Sequence, residues 1–289
     1  MKHIILSVFV IFFISCTNNT QQKLKIAVNS WIGYTPIFYA YEKGYLKDIE
    51  IKVIPTVSLG ESADFFSVAK VDMATTTQHE YNYLKRSLPT IIPIILIDRS
   101  NGGDMILSNK TVDELQNSKE IYVYLEIDSI NSEMIKSFIN KYHINEKHIR
   151  YINKDQSQVQ DIKNDKTKDI VIVTYTPYNT HLEKKGFKEI ASTKDISSIL
   201  VIDSIVTTKE LLEKNEDRLK KLKTILDRSI KEIQENPKVA YKLTSRYLNN
   251  ISFKEYQNSM NMIEWINNPS TKLLNEIKSI EYKEENLIK

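Results

Sequence analysis

Between Lys25 and Leu46 the chain reads KIAVNSWIGYTPIFYAYEKGYL: an apolar strand, a polar aromatic loop and a short helix in immediate succession. That order places an irregular loop at the carboxyl end of a buried strand, which is where open α/β sheets bind ligands. Ile26 and Val28 supply the apolar strand positions, and Asn29 to Thr35 the turn. Pro36 sits where a first helical turn tolerates a missing N–H, and Gly44 ends the helix. Ser30, Trp31 and Tyr34 therefore stand at the mouth of a pocket. The alternative for Trp31 and Tyr34 is a pair of core aromatics that pack a strand onto a helix.

The segment before this unit has a different character. Lys2 precedes an apolar run from Ile4 to Ile14, then Ser15 and Cys16. The run is shorter than the roughly 20 residues a spanning helix needs, so 1–15 reads as a cleaved signal segment. Residues 16–23 are a polar tether. Cys16 is the chain's single cysteine, so the exported part has no disulfide and rests on its core. The formal net charge is +3 with acids and bases interspersed, too little for a nucleic-acid partner.

Beyond Leu46, Ile49 to Thr56 reads as a strand, Leu59 to Ala69 as a helix and Val71 to Thr77 as a strand. Thr76 and Thr77 at its carboxyl end are hydroxyl donors to a ligand, or β-favouring residues and no more. A helix over Gln78 to Lys85 and a short or bulged strand over Thr90 to Ile97, broken by Pro93, follow. Gly102 and Gly103, flanked by Asn101 and Asp104, form a turn. Glu120 to Glu126 reads as a strand, with Asp128-Ser129 capping a helix from Ile130 to Tyr142. Ile149 to Lys154 and Ser157 to Asn164 give another strand and helix. Asp169 to Thr174 is a central parallel strand buried on both faces, and Leu200 to Thr208 a further strand. From Lys209 onward the apolar spacing is helical throughout, including Phe253 to Ile266 and Ser270 to Ile280, with Trp265 in the core.

The motifs Trp31-x-Gly33-Tyr34-x-Pro36, Ala40-x-x-Lys43-Gly44-Tyr45, Ala69-x-Val71-Asp72-x-Ala74 and Asp98-x-Ser100-Asn101-Gly102-Gly103-Asp104 resemble the solute-binding proteins of ABC importers for nitrate, sulfonates, taurine and thiamine-pyrimidine precursors. Thr174-Tyr175-Thr176-Pro177-Tyr178 is similar to that family's T-W-E-P-Y run, with Tyr for Trp and Thr for Glu. Phe13 to Cys16 likewise resembles a bacterial lipobox, which implies a lipid on Cys16 and attachment to a membrane surface. The family resemblance implies an α/β, two-lobed, type II periplasmic-binding-protein fold with a hinge and a C-terminal helical segment. One lobe would comprise 24–99 plus 205–289 and the other 100–204. It adds Asn101, Asp104, Ser129, Thr174, Tyr175 and Asp203 to the ligand candidates. For Asn101 and Asp104 the alternative is a hinge turn, for Ser129 a helix cap, and for Asp203 a hinge brace.

The function so implied is a monomeric, lipid-anchored receptor that binds a small polar organic solute, sulfonate, taurine-like or pyrimidine-like, and delivers it to ABC permease subunits. Asp104 and Asp203 favour a zwitterion or a heterocycle with N–H donors over a simple anion. A sensor for a membrane signalling partner would use the same binding chemistry. An enzyme resembling the thiamine-pyrimidine synthases is the remaining alternative. It would need a cysteine-rich iron site, whereas His3, His79, His143, His148 and His181 show no ligand spacing; no cofactor or metal is expected.

Overall fold

The computed structural model describes residues 22–196, 199–267, 269–278, 280 and 282–288. The expected signal segment, 1–15, and the expected lipidation site Cys16 lie outside the described residues. The chain has the expected α/β architecture, built on two sheets. Its strands are β1 (Leu24–Asn29), β2 (Ile51–Thr56), β3 (Met73–Thr77), β4 (Ile91–Ser100), β5 (Asp104–Ser108), β6 (Ile121–Leu125), β7 (Ile149–Asn153), β8 (Asp169–Tyr175), β9 (Lys188–Ser192), β10 (Ile202–Thr208) and β11 (Ile263–Trp265). The larger sheet has the order β11-β4-β10-β3-β1-β2 and the smaller β7-β6-β8-β5-β9. The chain crosses from the larger lobe to the smaller between β4 and β5 and returns between β9 and β10.

The opening unit forms as its residues dictate. β1 pairs in parallel with β2 and β3, and a 3-10 turn over Ile32–Tyr34 leads into the helix Thr35–Glu42 with Pro36 in its first turn. Gly44, at φ +78°, ends that helix in the left-handed conformation, and Tyr45 N–H donates to Ala40 O at 3.0 Å, satisfying an orphan carbonyl. Behind this unit packs the long helix Lys209–Glu235, whose Leu219, Leu222, Leu226, Ile230 and Ile233 are buried on one face.

Several elements differ from what local pattern predicts. β4 runs ten residues through Pro93. It pairs with β11 only at Asp98–Ser100, so Pro93's missing N–H interrupts no ladder on that side, and a register shift opposite Ile205/Val206 accommodates it. β5 and β9, five residues each and set among turns, are strands that local pattern does not mark. β8 is central and buried, but it is parallel only to β6 and antiparallel to β5. The predicted helix over Ser157–Asn164 is a single turn, Gln156–Val159. The C-terminal segment is not wholly helical: after the helix Phe253–Met260, β11 joins the edge of the larger sheet. Trp265 is half-buried, its ring N–H donating to Gly33 O at 3.1 Å.

Candidate functional site

Strand register explains why acids gather between the lobes. Asp203 of β10 stands directly opposite Thr77 of β3 and opposite Asp98 of β4, so three adjacent strands carry Thr77, Asp203 and Asp98 in one row. In the smaller sheet Asp104 of β5 stands opposite Tyr175 of β8. Trp31, Leu59, Thr77, Asp104, Tyr175 and Asp203 together line a cavity of about 10 Å³. That is space for one water at most. A larger molecule enters only if the lobes separate.

The cavity wall is aromatic and acidic. Trp31 meets the Tyr175 ring edge-on, with centroids 5.7 Å apart and planes at 82°, and Tyr175 meets Tyr178 in the same manner at 5.4 Å. The Trp31 ring N–H donates to Asp98 Oδ1 at 3.0 Å. Tyr34 O–H donates to Asp203 Oδ1 in a short contact. Asn29 Nδ2 donates to the Tyr175 hydroxyl at 3.1 Å, spanning the lobes.

Asp98, Asp104 and Asp203 are each at most 3% exposed. Burial pushes all three carboxyls upward, Asp104 to about 7, because a buried charge loses its hydration. The Trp31 N–H opposes this at Asp98, the Ser100 hydroxyl at Asp104 and the Tyr34 hydroxyl at Asp203, while neighbouring acids reinforce it. Among the described residues, none of the principal influences on the three carboxyls is a cationic side chain. Among the described residues, Oδ2 of Asp98 and of Asp104 has no hydrogen-bond partner.

Two further acids bridge the lobes. Glu80 closes a capping box with Thr77, accepting its N–H at 2.8 Å, and its other oxygen accepts Ile130 N–H from the smaller lobe at 2.9 Å. Glu126, from the smaller lobe, accepts Gly60 N–H at 2.9 Å, at the start of the helix Leu59–Ser67. Burial raises the Glu126 carboxyl to about 7. A Cβ at Gly60 would collide with that carboxylate.

The other sequence candidates sit as follows. Ser30 is half-buried, beside Tyr178, whose hydroxyl donates to Val57 O at 3.0 Å. Thr76 is buried with an unpartnered hydroxyl, but it is not among the residues lining the cavity. Asn101 lies outside it: its backbone N–H donates to Met262 O at 2.8 Å and its amide to Glu264 Oε1 at 3.1 Å, bracing the first crossing against β11. Ser129 donates to Glu126 O and accepts Asn131 N–H, a helix-start cap. Thr174 donates to Gln156 Oε1 at 2.8 Å inside the smaller lobe. Thr176 donates to Ser259 Oγ and sends its N–H to Gly103 O. His79 lines a groove at the outer edge of the cleft, beside Arg86 and Lys136.

Sequence reading passed over Asp98, Glu80, Glu126 and Asn29. The signal for Asp98 was an acid closing an apolar strand, and for Glu80 the T-x-x-E capping spacing from Thr77. Neither pattern tells which lobe the second carboxylate oxygen faces. Among the described residues no three His, Cys, Asp or Glu side chains converge to hold a metal ion.

Gly103 has a role that backbone freedom does not explain. A Cβ there would overlap the outer edge of the Trp31 ring and lie 3.1 Å from Met262 O. Gly103→Ala is expected to push Trp31 off Asp98, lowering stability by about 1–3 kcal/mol. A melting temperature and tryptophan emission identical to wild type would refute this.

Solved structures share this architecture. The ligand-binding component of an ABC-type import system from Staphylococcus aureus, crystallised with zinc bound, aligns with a TM-score of 0.72 at 14% identity, covering 90% of this chain and 91% of that one. The periplasmic aliphatic sulphonate-binding protein SsuA of Escherichia coli aligns at 0.71 and 11% identity, covering 89% and 85%. The periplasmic nitrate-binding protein NrtA of Synechocystis aligns at 0.67 and 14% identity, covering 86% and 72%. At such identities these likenesses establish the periplasmic-binding-protein fold and nothing finer. A search of curated proteins finds no match. A family model described as NMT1/THI5 like matches residues 31–240, most of the chain, and the protein belongs to that family.

Proposed function

We propose that this protein is the solute-binding component of an ABC importer, held at a bacterial membrane through a lipidated Cys16. It closes two lobes, 24–99 plus 205–289 and 100–204, on a small polar solute and presents the closed form to permease subunits. The observation that carries the reading is the cavity itself: Trp31, Thr77 and Asp203 come from the larger sheet's side, Asp104 and Tyr175 from the smaller. A ligand touching both sides stabilises the closed arrangement, which is how a binding event becomes a signal to a partner. The importer components named among the structural neighbours support the same role. No helix of the described residues is long and apolar enough to cross a membrane.

Thermal denaturation against a panel of small polar metabolites of both charge signs tests the reading. A cognate solute at a hundredfold excess over its Kd adds about 2.7 kcal/mol of stability. If no solute in a broad panel gives a saturable rise in Tm, the receptor assignment fails.

A further inference from the structure

Resting on the receptor reading, we propose that the cleft is built for an organic cation, a compact ammonium or amidinium group, and is closed to the sulfonate and nitrate anions named among its structural neighbours. Three observations converge on this. First, the row Asp98–Asp203 of the larger sheet faces Asp104 of the smaller, and none of the side chains lining the cavity is Lys, Arg or His. Second, the Asp98 and Asp104 carboxyls each keep one buried oxygen without a partner, and Asp104 lines the cavity directly. Asn29 adds a buried amide oxygen, also unpartnered, on the residue that holds the Tyr175 hydroxyl. Of these, Asp104 is the one that lines the cavity, and its free oxygen is an acceptor open to a donor there. Third, Trp31 and Tyr175 supply aromatic surface, which attracts cations through the ring quadrupole.

Three of the helix starts near the cleft that could receive an anion are already taken, whereas those at Ile32–Tyr34 and Asn179–Lys184 carry no side-chain cap. Helix starts bind anions through free N–H groups. Here Gly60 N–H, at the start of Leu59–Ser67, is bound by Glu126. At the start of Asn131–Tyr142, Ile130 N–H is bound by Glu80 and Asn131 N–H by Ser129. Gln78–Ser87 is capped by Thr77 and Glu80. The chain thus places its own carboxylates at three helix starts where a sulfonate could dock, and where Asp104 and Asp203 are ionised an incoming anion meets their charge as well. A bare metal ion is a poorer occupant than an organic cation, since no ligand set for one converges among the described residues.

Burial holds the aspartates up toward protonation. The groups facing them are one another, Glu80, and the hydroxyls of Tyr34, Tyr175 and Tyr282. An arriving cation favours the ionised form, so a carboxylic acid gives up its proton to buffer as the carboxylate pairs with the ligand. Binding is then accompanied by proton release.

Isothermal titration of the full chain in detergent tests this with ethylammonium, choline, acetamidinium and guanidinium on one side, and nitrate, methanesulfonate and taurine on the other, with Zn²⁺ as a further arm. The expected result is saturable binding of at least one organic cation, proton release at pH 6 seen as a dependence of heat on buffer ionisation enthalpy, and no anion binding. Asp104→Asn and Asp203→Asn should each weaken the cation at least tenfold while near-UV circular dichroism stays native. Saturable binding of nitrate, methanesulfonate, taurine or Zn²⁺ with no organic cation overturns the charge assignment and leaves the receptor reading standing. Equal affinity in both Asn variants also overturns the assignment. Silence from every arm counts against the cation site and the receptor reading together.

Discussion

Trp31→Ala lowers the melting temperature by about 10 °C and removes solute binding, while the far-UV helix signal stays intact. Trp31 is 3% exposed and packs in the principal core cluster with Tyr34, Tyr175 and Tyr178. Truncating a buried aromatic of this size costs about 3–5 kcal/mol, and a chain somewhat larger than 150–250 residues loses roughly 2–4 °C per kcal/mol. The variant also deprives Asp98 of its one ring N–H donor and Tyr175 of its edge contact. The helices are held by their own ladders and by the long helix Lys209–Glu235 behind them, so secondary structure survives. Trp31→Phe restores most of the apolar packing without the N–H, and its Tm should fall between the two. A Trp31→Ala protein that melts with wild type would show that the ring does not join the lobes.

The second large effect is on pH dependence. Asp104 has a folded pKa of about 7, raised chiefly by burial, against about 3.9 in an unfolded chain. Between those values the folded state binds the extra proton. The stability tied to that proton is therefore complete below about pH 4, is lost as pH rises toward 7, and changes no further above it. About three pKa units correspond to roughly 4 kcal/mol. Asp98, Asp203 and Glu126 are raised by the same cause and contribute with the same sign. Asp104→Asn is neutral at every pH. Its Tm should exceed wild type by several degrees at pH 8, with the gap narrowing steadily toward pH 5. Parallel Tm profiles for variant and wild type between pH 5 and 8 would mean that Asp104 is not buried as a charge.

The two predictions concern one surface, and they pull in different directions. Trp31 is held because packing favours it. The aspartates sit where burial disfavours their ionised form, an arrangement that costs stability at neutral pH and persists in cores mainly where the group has a task.

How much of this was legible in the residues varies by element. The strand-loop-helix at Lys25–Leu46 was, because its signals are local: apolar alternation, Pro36 in a first turn and Gly44 at a helix end. The chain's two crossings between the sheets lie at or beside the segments Asp98–Asp104 and Leu200–Thr208. β11 was not, since three residues after a helix give no periodicity, and they become a strand only because β4 offers an open edge. Asn101, Ser129 and Thr174 show the limit on the site side. Each is a polar residue at a strand end or helix start, and each is occupied by its own surroundings: a β11 brace, a helix cap and an intralobe hydrogen bond. Sequence places a hydroxyl or amide near a cleft without saying where its hydrogen bond goes.

What the sequence determined by itself is the α/β class, the strand ends that carry Trp31, Tyr34, Thr77 and Asp203, and the family, because each follows from residues adjacent along the chain. Only the tertiary structure decided that Asp98 stands beside Asp203, that Asp104 closes the far side, and that Glu80 and Glu126 occupy helix starts of the opposite lobe. Those facts depend on strand register and on how two lobes meet. Neither is encoded in any short segment, and together they turn isolated carboxylates into a buried acidic site.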